Sequence, residues 1–281
     1  MNIPFTDWIG RTITATDEIT AAPVRGLSAT LDRVDPPPAT GTPLPPLWHW
    51  LYFWPLYRPG ELRPDGHAQG GELMPPIPLP RRMWGGSRFI WERDNPLRVG
   101  DRVTRTSTIE SIQPKTGRSG ELVFVRIVHR FHNERGLALT NEHDAAFRGA
   151  PPPNERPAAP ALAPTDAPWQ RTLTPDAVLL FRYAALTFNS HRIHYDAPYA
   201  TQTERYPALL VQGPLLATLL VDLLRRNAPD RRLAQLELKA LRPTFEGRAL
   251  RLYGSPRDAG AELWAADHEG VLTMKATAQL E

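Results

Sequence analysis

The 281-residue chain contains no cysteine. That excludes disulfides, thiolate metal sites and a cysteine nucleophile together. It also lacks a long apolar run. The longest candidate, Pro207 to Leu224, is interrupted by Gln212, Gly213, Pro214 and Asp222, so it reads as a buried helix rather than a membrane span. Met1 to Gly10 has no charged-then-apolar leader pattern, and the expected location is the cytoplasm. There is no Lys/Arg tract and the formal net charge is only +3. A nucleic-acid partner is therefore not expected, nor is a membrane one. The arginines read as solvated surface, with a few placed to meet phosphates or carboxylates.

What is abundant is proline, with 31 residues in clusters. Six fall between Pro36 and Pro46, and seven between Pro151 and Pro168. The second cluster, within Gly149–Pro168, has almost no large apolar residue and reads as an extended linker. It sets the expected organisation as 1–148, a linker over 149–168, and 169–281. In the first part a helix is expected over Ala22–Leu31, followed by an aromatic block, Trp48–Tyr57, that reads as core. Strands are expected over Ser87–Glu92, Asp101–Gln113, Glu121–Asn133 and Leu137–Phe147, with turns at Asn95-Pro96 and Lys115-Thr116-Gly117. The last part predicts a strand at Gln170–Leu173 and a helix from Thr174 with Pro175 at its first position. A long helix over Tyr206–Arg226 follows, then strands over Ala234–Leu241, Leu250–Ser255, Leu263–His268 and Val271–Leu280. A long helix lying on a curved antiparallel sheet buries this pattern. Both parts end in a run of strands, which suggests duplication.

The densest chemistry lies in Phe181–Ala200, where Asn189, His191, His194 and Asp196 fall close together after a buried-looking helix. His191, His194 and Asp196 alone could suggest a metal site, but no third convergent ligand with an open position is signalled. Asp196 reads as a cap, and Asp65-Gly66-His67 as a turn.

This stretch resembles the signature of the MaoC-like, or hydratase-2, family of hydratases and dehydratases. Leu186, Thr187, Ile193, His194, Asp196, Tyr199 and Ala200 match it, and Val211–Leu216 resembles the family segment that opens the central helix. Phe188–Asp196 and Leu79–Gly86 are similar to the branch of mesaconyl-C4-CoA (3-methylfumaryl-CoA) hydratases and related fatty-acid dehydratases. The resemblance implies an α+β double hot-dog fold, two long helices each wrapped by an antiparallel sheet, with only the second unit catalytic and the first shaping a substrate tunnel. It implies reversible hydration of a short branched dicarboxylic enoyl-CoA, mesaconyl-C4-CoA giving citramalyl-CoA, with no metal or redox cofactor. The partner is then an acyl-CoA, and a homodimer is open. Itaconyl-CoA hydratase and 3-hydroxyacyl-ACP or -CoA dehydratase are related alternatives. An acyl-CoA thioesterase and a non-catalytic acyl-CoA-binding protein are alternatives of other classes.

Within that resemblance His194 is the acid–base residue, Asn189 orients water, and the Gly213 N–H faces the thioester oxygen. The family's aspartate aligns with Asn189 and its glycine with Phe188. An amide beside the reacting carbons removes the repulsion an aspartate would exert on a substrate carboxylate. Arg192, Arg182, Arg81 and Arg82 are the expected partners of that carboxylate, with His191 nearby.

Overall fold

A computed structural model describes residues 5–69, 73–79, 81–117, 120–149 and 159–281, with the side chains of residues 81–83, 116, 117 and 120 outside that description. The strands are β1 (Thr12–Glu18), β2 (Arg81–Trp91), β3 (Arg102–Gly117), β4 (Gly120–Asn133), β5 (Gly136–Arg148), β6 (Trp169–Leu173), β7 (Leu233–Ala240), β8 (Leu250–Arg257), β9 (Gly260–Ala266) and β10 (Leu272–Leu280). Helices α1 (Ala21–Thr30), α2 (Ala177–Leu186) and α3 (Gly213–Asn227) connect them.

All ten strands form one sheet in the order β1-β3-β4-β5-β2-β7-β10-β9-β8-β6. The order within each five-strand half is the same. β1 corresponds to β6, β2 to β7, and β3, β4 and β5 to β8, β9 and β10. The halves join through antiparallel pairing of β2 with β7, from Ser87 opposite Leu238 to Ile90 opposite Gln235. This is the double hot-dog arrangement, and the duplication hinted at by the strand runs is a duplication of topology.

One difference concerns the long helices. In the second half α3 is mostly apolar and is buried on every side from Leu215 to Leu224, as a core helix is. Among the described residues the corresponding connection in the first half carries only short 3-10 turns, Trp48–Leu51 and Pro59–Glu61. Trp48, Leu51, Tyr52 and Phe53 there are buried in the core that α3 also enters. Near this block lie two cavities of about 460 and 210 Å³, both lined in part by His49.

Several boundaries differ from the sequence expectation. α3 starts at Gly213, not Tyr206, because Pro214 occupies its first turn, where proline's fixed φ favours a start. The preceding apolar residues are buried as extended chain instead, with Leu210 bridged to Phe245 and the Val211 N–H donating to Thr244 O. α2 starts at Ala177, since Asp176 is its N-cap and accepts from the Leu179 N–H at 2.8 Å; Pro175 lies outside the helix. Lys115, Thr116 and Gly117 are not a turn but continue β3 opposite Leu122, Glu121 and Gly120. From residue 159 onward the proline-rich segment lies against the second half. The Ala163 N–H donates to Gly270 O, Trp264 Nε1 donates to Pro164 O, and Ala163 and Ala167 are buried. Among the described residues no helix is long and apolar enough to cross a membrane.

Candidate active site

The site begins at the C-terminus of α2. The Phe188 N–H donates to Ala185 O and the Asn189 N–H to Ala184 O, a Schellman ending that needs a left-handed residue at its centre. Phe188 fills that place at φ 51°, a conformation that costs an L-residue about 1–2 kcal/mol. Its ring stacks on Trp54 of the first half, with centroids 5.2 Å apart and planes at 10°. Trp54 Nε1 also donates to Leu186 O at 3.2 Å. The aromatic partner thus holds in place a residue where glycine would be cheaper.

Beyond this stop the chain makes a tight loop. Asn189 Oδ1 accepts the His191 N–H at 3.0 Å, an Asx-type turn. A 3-10 turn over Arg192–His194 then buries Ile193. His194 Nδ1 lies 2.9 Å from Leu210 O. A carbonyl oxygen only accepts, so Nδ1 carries the proton and Nε2 keeps its lone pair. Burial lowers the His194 pKa to about 4; the Leu210 hydrogen bond opposes that shift and His67 adds to it. His194 is therefore neutral near pH 7. His191 is pushed down to about 3, first by burial and then by its histidine neighbours.

Gly213 heads α3 three residues beyond the carbonyl that anchors His194, within roughly 10 Å along the chain. First-turn N–H groups of a helix have no intrahelical acceptor. Trp84 from β2 closes over this point: a Cβ on Gly213 would lie 2.8 Å from Trp84 Cε3. Gln212 is fully buried and its Nε2 donates to Leu180 O, tying α3 to α2.

A second loop arrives from the first half. Gly66, at φ 88°, lies so close that a Cβ would stand 1.9 Å from Ser190 O. Ser190 Oγ donates to Gly66 O, the Arg192 N–H to Asp65 O, and an Arg192 guanidinium N–H to Pro64 O. The His67 ring sits 3.9 Å from the His191 ring, and the His191 ring 5.4 Å from that of His194. Asp65, His67 and His191 each offer one ligand atom, all within 4.8 Å of one another. Among the described residues this set, and not His191 with His194 and Asp196, has ligand atoms close enough together for a metal ion. Asp65 is already engaged, by the His67 N–H at 2.8 Å and by Arg63 at 3.2 Å.

The expected arginines are placed differently from one another. Arg192 pairs with Asp196 at 2.7 Å and lies 4.1 Å over the Tyr199 ring, so its cation is matched inside the protein. Asp196 also accepts the Tyr199 N–H, as a capping residue does. Arg182 is exposed on α2. The backbones of Arg81 and Arg82 open β2 opposite Arg148 and Phe147, while their side chains lie outside the described residues. The Asp65–His67 loop was read in sequence only as a turn, and nothing local signals its docking partner more than a hundred residues away.

The family profile for hydroxyacyl-thioester dehydratase type 2 matches residues 47–246. The chain is 41% identical over 275 residues to the mesaconyl-C(4)-CoA hydratase of Chloroflexus aurantiacus, covering 97% of this chain and 96% of that protein. In fold it is similar to HtdX of Mycobacterium tuberculosis, with a TM-score of 0.67 at 16% identity, covering 95% and 99% of the two chains. It is likewise similar to a MaoC-like dehydratase from Phytophthora capsici, with a TM-score of 0.64 at 14% identity, covering 96% and 95%.

Proposed function

The chain belongs to the hydroxyacyl-thioester dehydratase type 2 family, the MaoC-like hydro-lyases of hot-dog fold, and from that premise we propose that it reversibly hydrates mesaconyl-C4-CoA to citramalyl-CoA. The observation that carries the reaction is His194, held as the neutral Nδ1–H tautomer with Nε2 free to accept a proton. Similarity to the Chloroflexus hydratase over nearly the full length of both chains carries the substrate.

In this reading His194 Nε2 takes a proton from water as the oxygen attacks the β-carbon. Electrons move to the thioester oxygen as an enolate. The Gly213 N–H donates to that oxygen, and the N-terminal end of α3 favours the negative charge. The imidazolium then returns its proton to the α-carbon, so one water has been added and His194 is neutral again. A base with a pKa near 4 is weak by itself. The oxyanion developing beside it favours the imidazolium and offsets the cost of charging a buried ring. Asn189, whose Oδ1 is shared with the His191 N–H, positions the water through its remaining donors and lone pair.

The test follows the loss of enoyl-thioester absorbance with mesaconyl-C4-CoA, crotonyl-CoA and itaconyl-CoA. Mesaconyl-C4-CoA is the expected substrate, and His194→Ala should lower its turnover by roughly 10²–10⁴-fold. Release of free CoA without loss of the double bond would identify a thioesterase instead. Equal rates for wild type and variant would remove His194 from the chemistry.

A further inference from the structure

The concave face of the first half carries a polar belt where a core would be expected. Along β3 the inward positions run Val103, Arg105, Ser107, Ile109; along β4 Ile127, His129, Phe131; along β5 Leu139, Asn141, His143, Ala145. The apolar members of these series are buried at both ends. Of the polar members, Arg105, His129, Asn141 and His143 line the cavity of about 210 Å³ between them. His129 stands opposite both Ser107 and Asn141 in the sheet register.

The polar atoms here are under-satisfied. Arg105 Nε, His49 Nε2 and Asn141 Oδ1 are buried without a hydrogen-bond partner. Such groups are rare in folded proteins and point to a missing ligand. No carboxylate among the described residues is within ion-pair distance of Arg105. The acid that acts on it most strongly is Asp17, whose oxygens accept the Phe53 and Glu18 N–H groups. The Arg105 guanidinium lies 5.0 Å over the Phe53 ring. His129 shares a 2.7 Å hydrogen bond with Ser107 Oγ, and His49, His143 and Tyr52, whose hydroxyl donates to Thr20 O, complete the titratable groups on the cavity wall, with Tyr57 nearby. An isolated buried cation is costly. It is tolerated where an anion is to be received.

We propose that this cavity is a carboxylate-binding subsite in which Arg105, with His129 and Asn141, holds the acid group of a carboxylated acyl thioester. The position suits that role. Thr187, two residues before Asn189, lines the same cavity. Trp50, also on its wall, meets Trp84 edge-on at 6.5 Å, and the Trp84 ring lies against Gly213. Trp50 and Trp84 thus connect the cavity wall to the helix start where the thioester is placed. Arg105 offers a planar fork to a carboxylate. The Asn141 amide presents N–H₂ in place of its oxygen after a half-turn about Cβ–Cγ, and a bound anion raises the pKa of the histidines, which lies at about 3 for His49 and His129 mainly through burial, and so favours their protonated form. Two of the arginines singled out in the sequence are less suited: Arg192 is neutralised by Asp196 and Arg182 faces solvent.

The inference rests on the placement of the thioester at Gly213, so the test reads binding and not turnover. Calorimetric titration of the full chain compares succinyl-CoA, which bears a carboxylate on the β-carbon, with butyryl-CoA, which bears a methyl there. Wild type should bind succinyl-CoA more tightly. Arg105→Gln should weaken succinyl-CoA by roughly ten- to a hundredfold, the range for a hydrogen-bonded charge, with butyryl-CoA shifted less than about threefold, and Arg105→Lys should fall between. Equal losses for both ligands, or none, overturn the subsite while leaving the hydratase reading in place. Failure of wild type to bind either thioester overturns both. A wild-type structure with succinyl-CoA decides the matter without any variant: a carboxylate within hydrogen-bond reach of Arg105 is expected, and one placed elsewhere refutes the subsite.

Discussion

Burial, more than any neighbouring charge, lowers His194 to about 4 and His49, His129 and His191 to about 3. The consequences for activity and stability fall in different pH ranges. In the proposed mechanism the neutral imidazole of His194 is the base, so activity is lost only as pH falls through about 4. The acid limb of kcat/KM should lie near that value, and a limb at the ordinary histidine value near 6.5 would mean that His194 is hydrated. For stability, the unfolded histidines bind protons near 6.5 while the folded ones refuse them. Their contribution is fully present above about 6.5 and is lost progressively as pH falls toward 3–4. The fully developed slope for each deeply buried ring, His49 and His129, is about 1.4 kcal/mol per pH unit. Urea unfolding at pH 7.5 and pH 5 should show the midpoint falling with acid, and His49→Phe should flatten that dependence. An unchanged midpoint in wild type would show that these rings are not protected from protons.

At the level of elements, the loop over Pro64–His67 meets the loop that carries His194 directly, as Trp54 does at Phe188. Gly66 meets two independent constraints there, a left-handed φ of 88° and a backbone oxygen 1.9 Å from where a Cβ would stand. Gly66→Ala should lift this loop from Ser190 and Arg192. A displacement on the order of 1 Å beside a catalytic group lowers kcat/KM by about a hundredfold. The expected result is that loss with the urea midpoint nearly unchanged, because the turn buries little apolar surface; unchanged kinetics would make the docking incidental. The same elements show what was readable. Strand positions followed from alternation, and β4 and β5 fall within a few residues of expectation. The neighbourhood of His194, Asn189 and Gly213, which the proposed mechanism uses, was readable because one short stretch and one helix start carry them. The docking of Asp65–His67 was not, since it depends on contacts distant in sequence. Arg105, His129 and Asn141 left a signal that was not used: they keep the inward phase set by Val103, Ile127 and Leu139. The start of α3 was misplaced because an apolar segment can be buried extended as readily as helical.

For the whole molecule, the join between halves depends on more than the β2–β7 pairing. Asp222 on α3, with a side chain 1% exposed, receives Arg33 from the segment after α1 at 2.6 Å, Arg171 from β6 at 2.7 Å and Arg226 at 2.7 Å. Arg171 and Arg226 also donate to Leu31 O, and Arg226 to Asp32 O. One buried carboxylate therefore fastens the end of the first half's helix to the core helix and an edge strand of the second. Replacing an ion network with apolar residues can be neutral, but removing one member strands the others. Asp222→Asn leaves three guanidinium groups around an amide that cannot neutralise them, and Asp35, which pairs with Arg33, is the acid that remains. A loss of about 3–5 kcal/mol is expected, read as a lower urea midpoint. Asp222 stands nine residues from Gly213, roughly 14 Å along the helix. The variant should therefore keep its kcat below the unfolding transition while losing stability. A drop in kcat with stability intact would instead mean that the far end of α3 sets the geometry at its start.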